Sequence, residues 1–132
     1  MSNNQIFKQW KINNIPNKKY DIENISWKEE GLVIEVIEDG NVEDQLKRFK
    51  MVWDNGSFIA YHVTDETYRS DCWNLDFDND GRFYATNTSE YIDLLRHKSP
   101  LFPDEAIHFT IIGTNTIVDL VAKGYPVINV IE

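Results

Sequence analysis

Phe49-Lys50-Met51-Val52-Trp53, then Asp54-Asn55-Gly56-Ser57, then Phe58-Ile59-Ala60-Tyr61-His62-Val63-Thr64 is the stretch from which the fold class is read. Phe49, Met51 and Trp53 fall on one side of an extended chain and Lys50 on the other. That period of two is what a half-buried strand requires. The second run is again rich in aromatic and β-branched residues. An Asn-Gly pair between two such runs predicts a tight hairpin, because both residues tolerate the positive φ of its favoured turns. The chain is therefore expected to be built on antiparallel strands.

Upstream, residues 32–37 are β-branched and end at Asp39-Gly40, a further turn signal. A polar loop precedes them. Ile6, Phe7 and Trp10 sit at helical spacing within residues 5–12, which predicts a short N-terminal helix stopped by Asn13-Asn14 and Pro16-Asn17. Downstream, residues 64–81 read as a long acidic loop and 82–86 as a short strand. Thr88-Ser89 can cap a helix over 88–98 whose Tyr91, Ile92, Leu94 and Leu95 share a face, and Ser99-Pro100 ends it. Residues 106–112 form a strand, turned at Gly113-Thr114-Asn115. Residues 117–122 fit a helical stripe and a strand alike; their β-branched content and the preceding turn favour the strand. A last strand, 127–131, follows Pro126. The expectation is one α+β domain over 1–132, a mainly antiparallel sheet of about five to seven strands with the 88–98 helix on one face. Phe49, Met51, Trp53, Ile59, Tyr61, Leu94, Leu95, Phe109 and Ile111 are expected in its core.

The composition agrees with a packed core. Of 132 residues 42% are hydrophobic, with four Trp, six Tyr and seven Phe, so no disulfide or structural metal is needed to hold the fold. Cys72 is the single cysteine, no apolar leader opens the chain, and no apolar run approaches the ~18 residues of a membrane span. A reducing, cytoplasmic setting is expected. Acids outnumber bases by 22 to 13, for a net charge of −9. The excess is concentrated in residues 54–93, where nine acids face Arg69 and Arg82 alone. Such a field repels phosphate backbones and anionic membranes and attracts basic partners.

Asp76-Phe77-Asp78-Asn79-Asp80-Gly81 matches the first half of a calcium loop, whose alternate oxygens surround the ion. Counting from Asp76, the twelfth position holds Asn87 instead of a bidentate Glu, so an EF-hand is rejected. An Asp/Asn/Gly turn is the ordinary reading of that segment. His62, His97 and His108 stand at no metal-ligand spacing. His62 and His108 each lie within a strand, where a hydrogen-bonded structural or surface role is usual. A Cys72 thiolate would be disfavoured by its acidic neighbours Asp71 and Asp76. Asp65-Glu66, adjacent in an extended chain, point to opposite faces and do not converge for acid–base work unless the strand has ended. There is no nucleophile elbow and no glycine-rich phosphate cradle. The basic cluster Lys47-Arg48 and Lys50 is too small for nucleic-acid binding on so acidic a chain. No catalytic residue, cofactor or metal-ligand set is assigned.

What remains is an acidic loop set with aromatics: Asp65, Glu66, Tyr68, Asp71, Trp73, Asp76, Asp78 and Asp80. Tyr and Trp anchor protein interfaces, and carboxylates steer a basic partner towards them. In the competing reading the aromatics fold into the core and the acids face water. The residues favour a non-enzymatic binder of a basic protein; a calcium- or metal-responsive module using Asp76–Asp80 and a small enzyme stay open as alternatives.

The order Tyr61-His62-Val63-Thr64-Asp65-Glu66, Phe83-Tyr84 with Asn87, Ser89, Tyr91 and Ile92, then Ile107-His108-Phe109 resembles small uncharacterised bacterial proteins found mainly in low-GC Gram-positive genomes. Some of these look like immunity proteins of polymorphic toxin systems. The resemblance covers the latter half of the chain and rests on strand and turn residues. It implies a cytoplasmic, non-enzymatic protein that neutralises a partner by binding it. The acidic loop agrees with that idea, being opposite in charge to the basic surface that nuclease toxins need.

Overall fold

The computed structural model describes residues 8–9, 19–40, 46–69 and 83–131. They form two antiparallel sheets packed face to face, with one α-helix on the outer side of the larger sheet. The strands are β1 (Lys8–Gln9), β2 (Tyr20–Lys28), β3 (Gly31–Glu38), β4 (Arg48–Trp53), β5 (Phe58–Asp65), β6 (Phe83–Thr86), β7 (Ile107–Ile112), β8 (Thr116–Ala122) and β9 (Val127–Ile131). The five-stranded sheet has the order β1-β6-β7-β8-β5, and the four-stranded sheet β2-β3-β4-β9. The expected α+β class with mainly antiparallel pairing holds. The expected single sheet does not, because the inward faces of the strands are covered by a second sheet.

β2 was expected as loop, and its register shows why. Ile22 opposes Val36 and Ile25 opposes Ile34, with a shift between Ile22 and Asn24. This bulge changes the parity of the inward residues, which are Tyr20 and Ile22 before it and Ile25 after it, so no constant period of two runs along the strand. Glu29-Glu30 then turn the chain into β3. Gly31 takes φ +125°, and a Cβ there would lie 2.1 Å from the Trp53 carbonyl oxygen. Only glycine permits both that conformation and that approach.

The hairpin expected at Asn55-Gly56 is a turn between layers. β4 pairs with β3 and β9, whereas β5 pairs with β8. Ser57 N–H and Phe58 N–H both donate to the Asp54 carbonyl, at 2.9 and 2.8 Å, and tighten the corner. Asn55 is held by the β2–β3 turn: its side-chain oxygen accepts from Trp27 Nε1 at 2.9 Å and its Nδ2 donates to the Glu29 carbonyl at 2.8 Å. A two-residue primed turn needs positive φ at its glycine. Among the described glycines Gly31 is the one with positive φ, so Gly56 does not supply it. Two amphipathic runs satisfy the same alternation whether they pair edge to edge or face each other across a core, and here they do the latter.

Between the sheets, Leu32, Ile34, Val36, Phe49, Met51 and Trp53 meet Phe83, Phe109, Ile111, Val118, Leu120 and Ala122. Trp53 lies 5.3 Å from Phe109, and Tyr20 5.6 Å from Phe83, centroid to centroid. Each large side chain buried here contributes about 1.5–3 kcal/mol, which makes this layer the main favourable term of the fold.

The helix α1 (Glu90–Lys98) starts at Ser89, whose Oγ accepts from Ile92 N–H at 3.1 Å. Glu90 and Asp93 stand in its first turn and Arg96, His97 and Lys98 in its last, complementing the helix dipole. Ile92 is buried against Ala106 and Val121, with Tyr91, Leu95, Ile59 and Phe102 partly buried around them. Leu94, expected in the core, is exposed. It lies two residues from Ile92, about 200° around the helix, on the opposite side. Ile59, Tyr61 and Leu95 are partly buried, while Phe49, Met51, Trp53, Phe109 and Ile111 are buried as expected. Within the expected N-terminal helix, Lys8 and Gln9 pair instead with Ala85 and Tyr84 as β1. The rest of that segment lies outside the described residues.

Candidate functional site

The outer face of the five-stranded sheet carries a row of polar residues fixed by register. Asp119 of β8 stands opposite His62 of β5 on one side and Thr110 of β7 on the other, and Thr110 stands opposite Tyr84 of β6. Residues directly opposite one another in an antiparallel pair share a face, so alternation alone gathers these side chains. His108, two residues before Thr110, joins them on the same face. Ser89 reaches them from the N-cap of α1.

Asp119 is 1% exposed, and a carboxylate so placed costs several kcal/mol unless it is well paired. Its Oδ1 accepts from His108 Nε2 at 2.7 Å and from Thr110 Oγ1 at 2.8 Å. Its Oδ2 faces His62 Nε2 at 3.3 Å and pairs with the Arg69 guanidinium. Burial pushes this carboxyl up, yet the hydrogen bonds from His108 and His62 and the charges of His108 and Arg69 hold it well below the usual carboxylate range. Asp119 is therefore an anion throughout the physiological range, balanced by Arg69 when both histidines are neutral.

The proton facing Asp119 must sit on His108 Nε2, which leaves Nδ1 of a neutral ring to accept from Ser89 Oγ at 2.8 Å. Ser89 thus serves two elements, its Oγ accepting from the Ile92 amide and sharing a hydrogen bond with His108 Nδ1. Tyr91 packs between the two imidazoles, 4.6 Å from His62 and 5.4 Å from His108. Burial, and then the Asp119 charge, push its phenol up to about 12.

Ser89, His108 and Asp119 have the membership of a nucleophilic triad, but not its access. Ser89 is 1% exposed and its hydroxyl is committed to the helix cap and to His108. The network meets solvent at His62, whose side chain is 47% exposed, and at the rim through Arg69. Its evident task is to fix β5, Arg69 and the start of α1 to one buried anion.

The expected partner-binding residues divide into two groups. Asp65, Glu66 and Tyr68 are described; Asp71, Trp73, Asp76, Asp78 and Asp80, together with Cys72, lie outside the described residues. Asp65 ends β5 and caps the 3-10 turn Glu66–Tyr68, its Oδ1 accepting from Thr67 N–H at 2.8 Å. That bond holds its carboxyl below the usual range. Glu66 N–H donates to the Asn115 carbonyl at 3.0 Å, tying the turn to the β7–β8 hairpin. Tyr68 is 80% exposed. His97 stands exposed in the last turn of α1. His62 and His108 have the hydrogen-bonded roles expected for them, though nothing had pointed to their shared carboxylate. Asp119 was missed because 117–122 also fitted a helix, where one acid is unremarkable. Once the segment is a strand, an acid between Val118 and Leu120, on the face of Ile117 and Val121, is the signal.

Among the described residues no group of three or more His, Cys, Asp or Glu side chains is placed to hold a metal ion, and no helix is long and apolar enough to cross a membrane. No protein-family model, curated protein or solved structure matches the chain.

Proposed function

We propose that this protein is a non-enzymatic binder of a basic protein, of the kind that neutralises a toxin, and that it acts from the cytoplasm. The segment from Asp65 to Asp80 supplies the surface: six acids against Arg69, with Tyr68 and Trp73 among them. The observation that carries this reading is Tyr68, 80% exposed beside the exposed Asp65, on a turn tied to the sheet at Glu66 and, one residue on, at Arg69. An aromatic held out on a fixed base loses little freedom when it docks, which favours it as an anchor. The surrounding carboxylates would speed encounter with a cationic surface.

The test is co-expression with the product of the adjacent gene, followed by binding kinetics on any complex recovered. Neutralising Asp76, Asp78 and Asp80 to Asn together should lower the association rate and flatten its salt dependence with the fold intact. Tyr68→Ala should act on dissociation, raising it about tenfold. Recovery of no basic partner, or a complex indifferent to both changes, refutes the reading.

A second reading keeps the chain an enzyme. His62 is half-exposed and faces a buried carboxylate, the arrangement of a base oriented by an anion. Loss of a measurable turnover in His62→Ala, with binding unchanged, would favour it. The calcium-responsive alternative rests on Asp76–Asp80 and is addressed by titrating calcium calorimetrically.

A further inference from the structure

Among the described residues the two sheets have four edges, and three of them are blunted. β1 is two residues long. β2 carries the bulge after Ile22 and the acids Asp21 and Glu23. β5 shifts register between Phe58 and Ala60 and ends in Asp65. Short strands, bulges and charges are the usual devices that prevent an edge from pairing with another chain. β9 has none of them. Among the described residues it pairs with β4 alone, in an unbroken register from Val127 to Ile131. Its sequence, Val-Ile-Asn-Val-Ile, contains no charge, and Val127 and Val130 are 65% and 54% exposed. Pro126, which lacks an N–H, bounds the edge on one side.

We propose that β9 is a self-association edge, through which two copies of this chain pair antiparallel about Asn129 and join their four-stranded sheets into one. The occupant follows from the sequence of the strand. A two-fold axis at Asn129 sets Val127 opposite Ile131 of the second copy, Ile128 opposite Val130, and Asn129 opposite itself. Every pair is then β-branched with β-branched, or amide with amide, and no like charges meet. A strand suited to a different partner has no need of this symmetry.

Charge permits the contact as well. Residues 1–50 hold nine acids and eight bases, and 94–132 four acids and three bases, so the strands of this sheet lie outside the acidic segment. Beside β9, Arg48 and Lys50 of β4 are paired with Glu23 and Glu30. The self-repulsion of a −9 chain is thus not directed at this edge. A contact of this size is small, and the dimer is weak and reversible.

Sedimentation of the full chain over roughly micromolar to millimolar concentrations tests the proposal. The average mass should rise from monomer towards dimer and stop there. Asn129→Lys sets two ammonium groups opposite each other at the axis and should weaken the dimer at least about tenfold. Asn129 is exposed, so its unfolding midpoint should stay put, and Val130→Lys gives an independent second variant. Amide exchange across Val127–Ile131 should slow with concentration in the wild type and not in either variant. A chain that remains monomeric throughout, one that grows beyond a dimer, or dimers indifferent to both lysines overturn the proposal. So does a β9 that pairs with another protein and never with itself.

Discussion

The two faces of the β7–β8 hairpin are built on opposite principles. Inward, Phe109, Ile111, Val118 and Leu120 are buried among apolar side chains from the other sheet. Outward, His108, Thr110 and Asp119 are equally buried and polar, and each is satisfied by a named partner. The inner face depends on shape and tolerates exchange of one apolar residue for another of similar volume. The outer face depends on a set of donors gathered around one anion, so a deletion there leaves a buried group less completely paired. Burial alone does not distinguish them, and the cost of a mutation is governed by a different quantity on each side.

Truncation should expose that difference first. Phe109→Ala removes a ring from the middle of the sandwich and should cost about 3–5 kcal/mol, read from the denaturant midpoint at unchanged slope. Asp119→Ala should cost about as much, because Arg69 and the donors of His108 and Thr110 lose the buried anion they converge on. Phe109→Leu should recover much of the first loss. No isostere recovers the second unless Arg69 is removed as well. If Asp119→Ala proves nearly neutral, the outer face is not organised by its anion.

A smaller effect comes from Ser89, which joins the network to α1. Ser89→Ala loses the cap and one partner of His108, and should cost about 1–2 kcal/mol. The loss should appear chiefly as faster amide exchange in the first turn of α1. Equal exchange along the whole sheet would instead mean that the helix and the polar row unfold as one unit.

The smallest effects are read by titration. The Asp119 carboxyl is held below its unfolded value of 3.8, so the stability it contributes is present above that value and is lost as pH falls through it and on towards the folded value. Asp119→Asn should therefore flatten the acid limb of stability below about pH 4. Two phenols should ionise late in the folded protein, Tyr20 and Tyr91, both pushed up to about 12. A raised phenol keeps its contribution below the unfolded value of 10.0 and loses it as pH rises towards the folded one. In Asp119→Asn, Tyr91 should move part of the way back, while Tyr20, which feels Glu38, should not. A spectroscopic titration in which both moved, or neither, would contradict the assignment of the charge.

How far the sequence foretold this arrangement depends on periodicity. Phe49, Met51, Trp53, Phe109 and Ile111 repeat at two without interruption, and all are buried. β2 was illegible because one bulge reverses its parity at Glu23, so its inward residues never form a single series. The Asn55-Gly56 turn was legible as a turn and misleading as a hairpin. Alternation states that a strand has a covered side without stating whether a neighbour or an opposing sheet covers it. The polar row needed more than any one segment holds. His62, Thr110 and Asp119 come together only through the registers β5–β8 and β7–β8, and register is a property of pairs of strands.

The strand order has a consequence for the birth of the fold. The hairpins β2–β3 and β7–β8 join neighbours in sequence and can close early. β3–β4 also joins sequence neighbours, but β5 must wait for β8, and the far side of β4 for β9, about fifty to eighty residues further along. A chain that must bring such distant segments together before they reward one another belongs with the slow two-layer β proteins, on the order of milliseconds to seconds. On a ribosome, β2, β3, β4 and β5 would emerge with their inward faces bare until β7 and β8 followed.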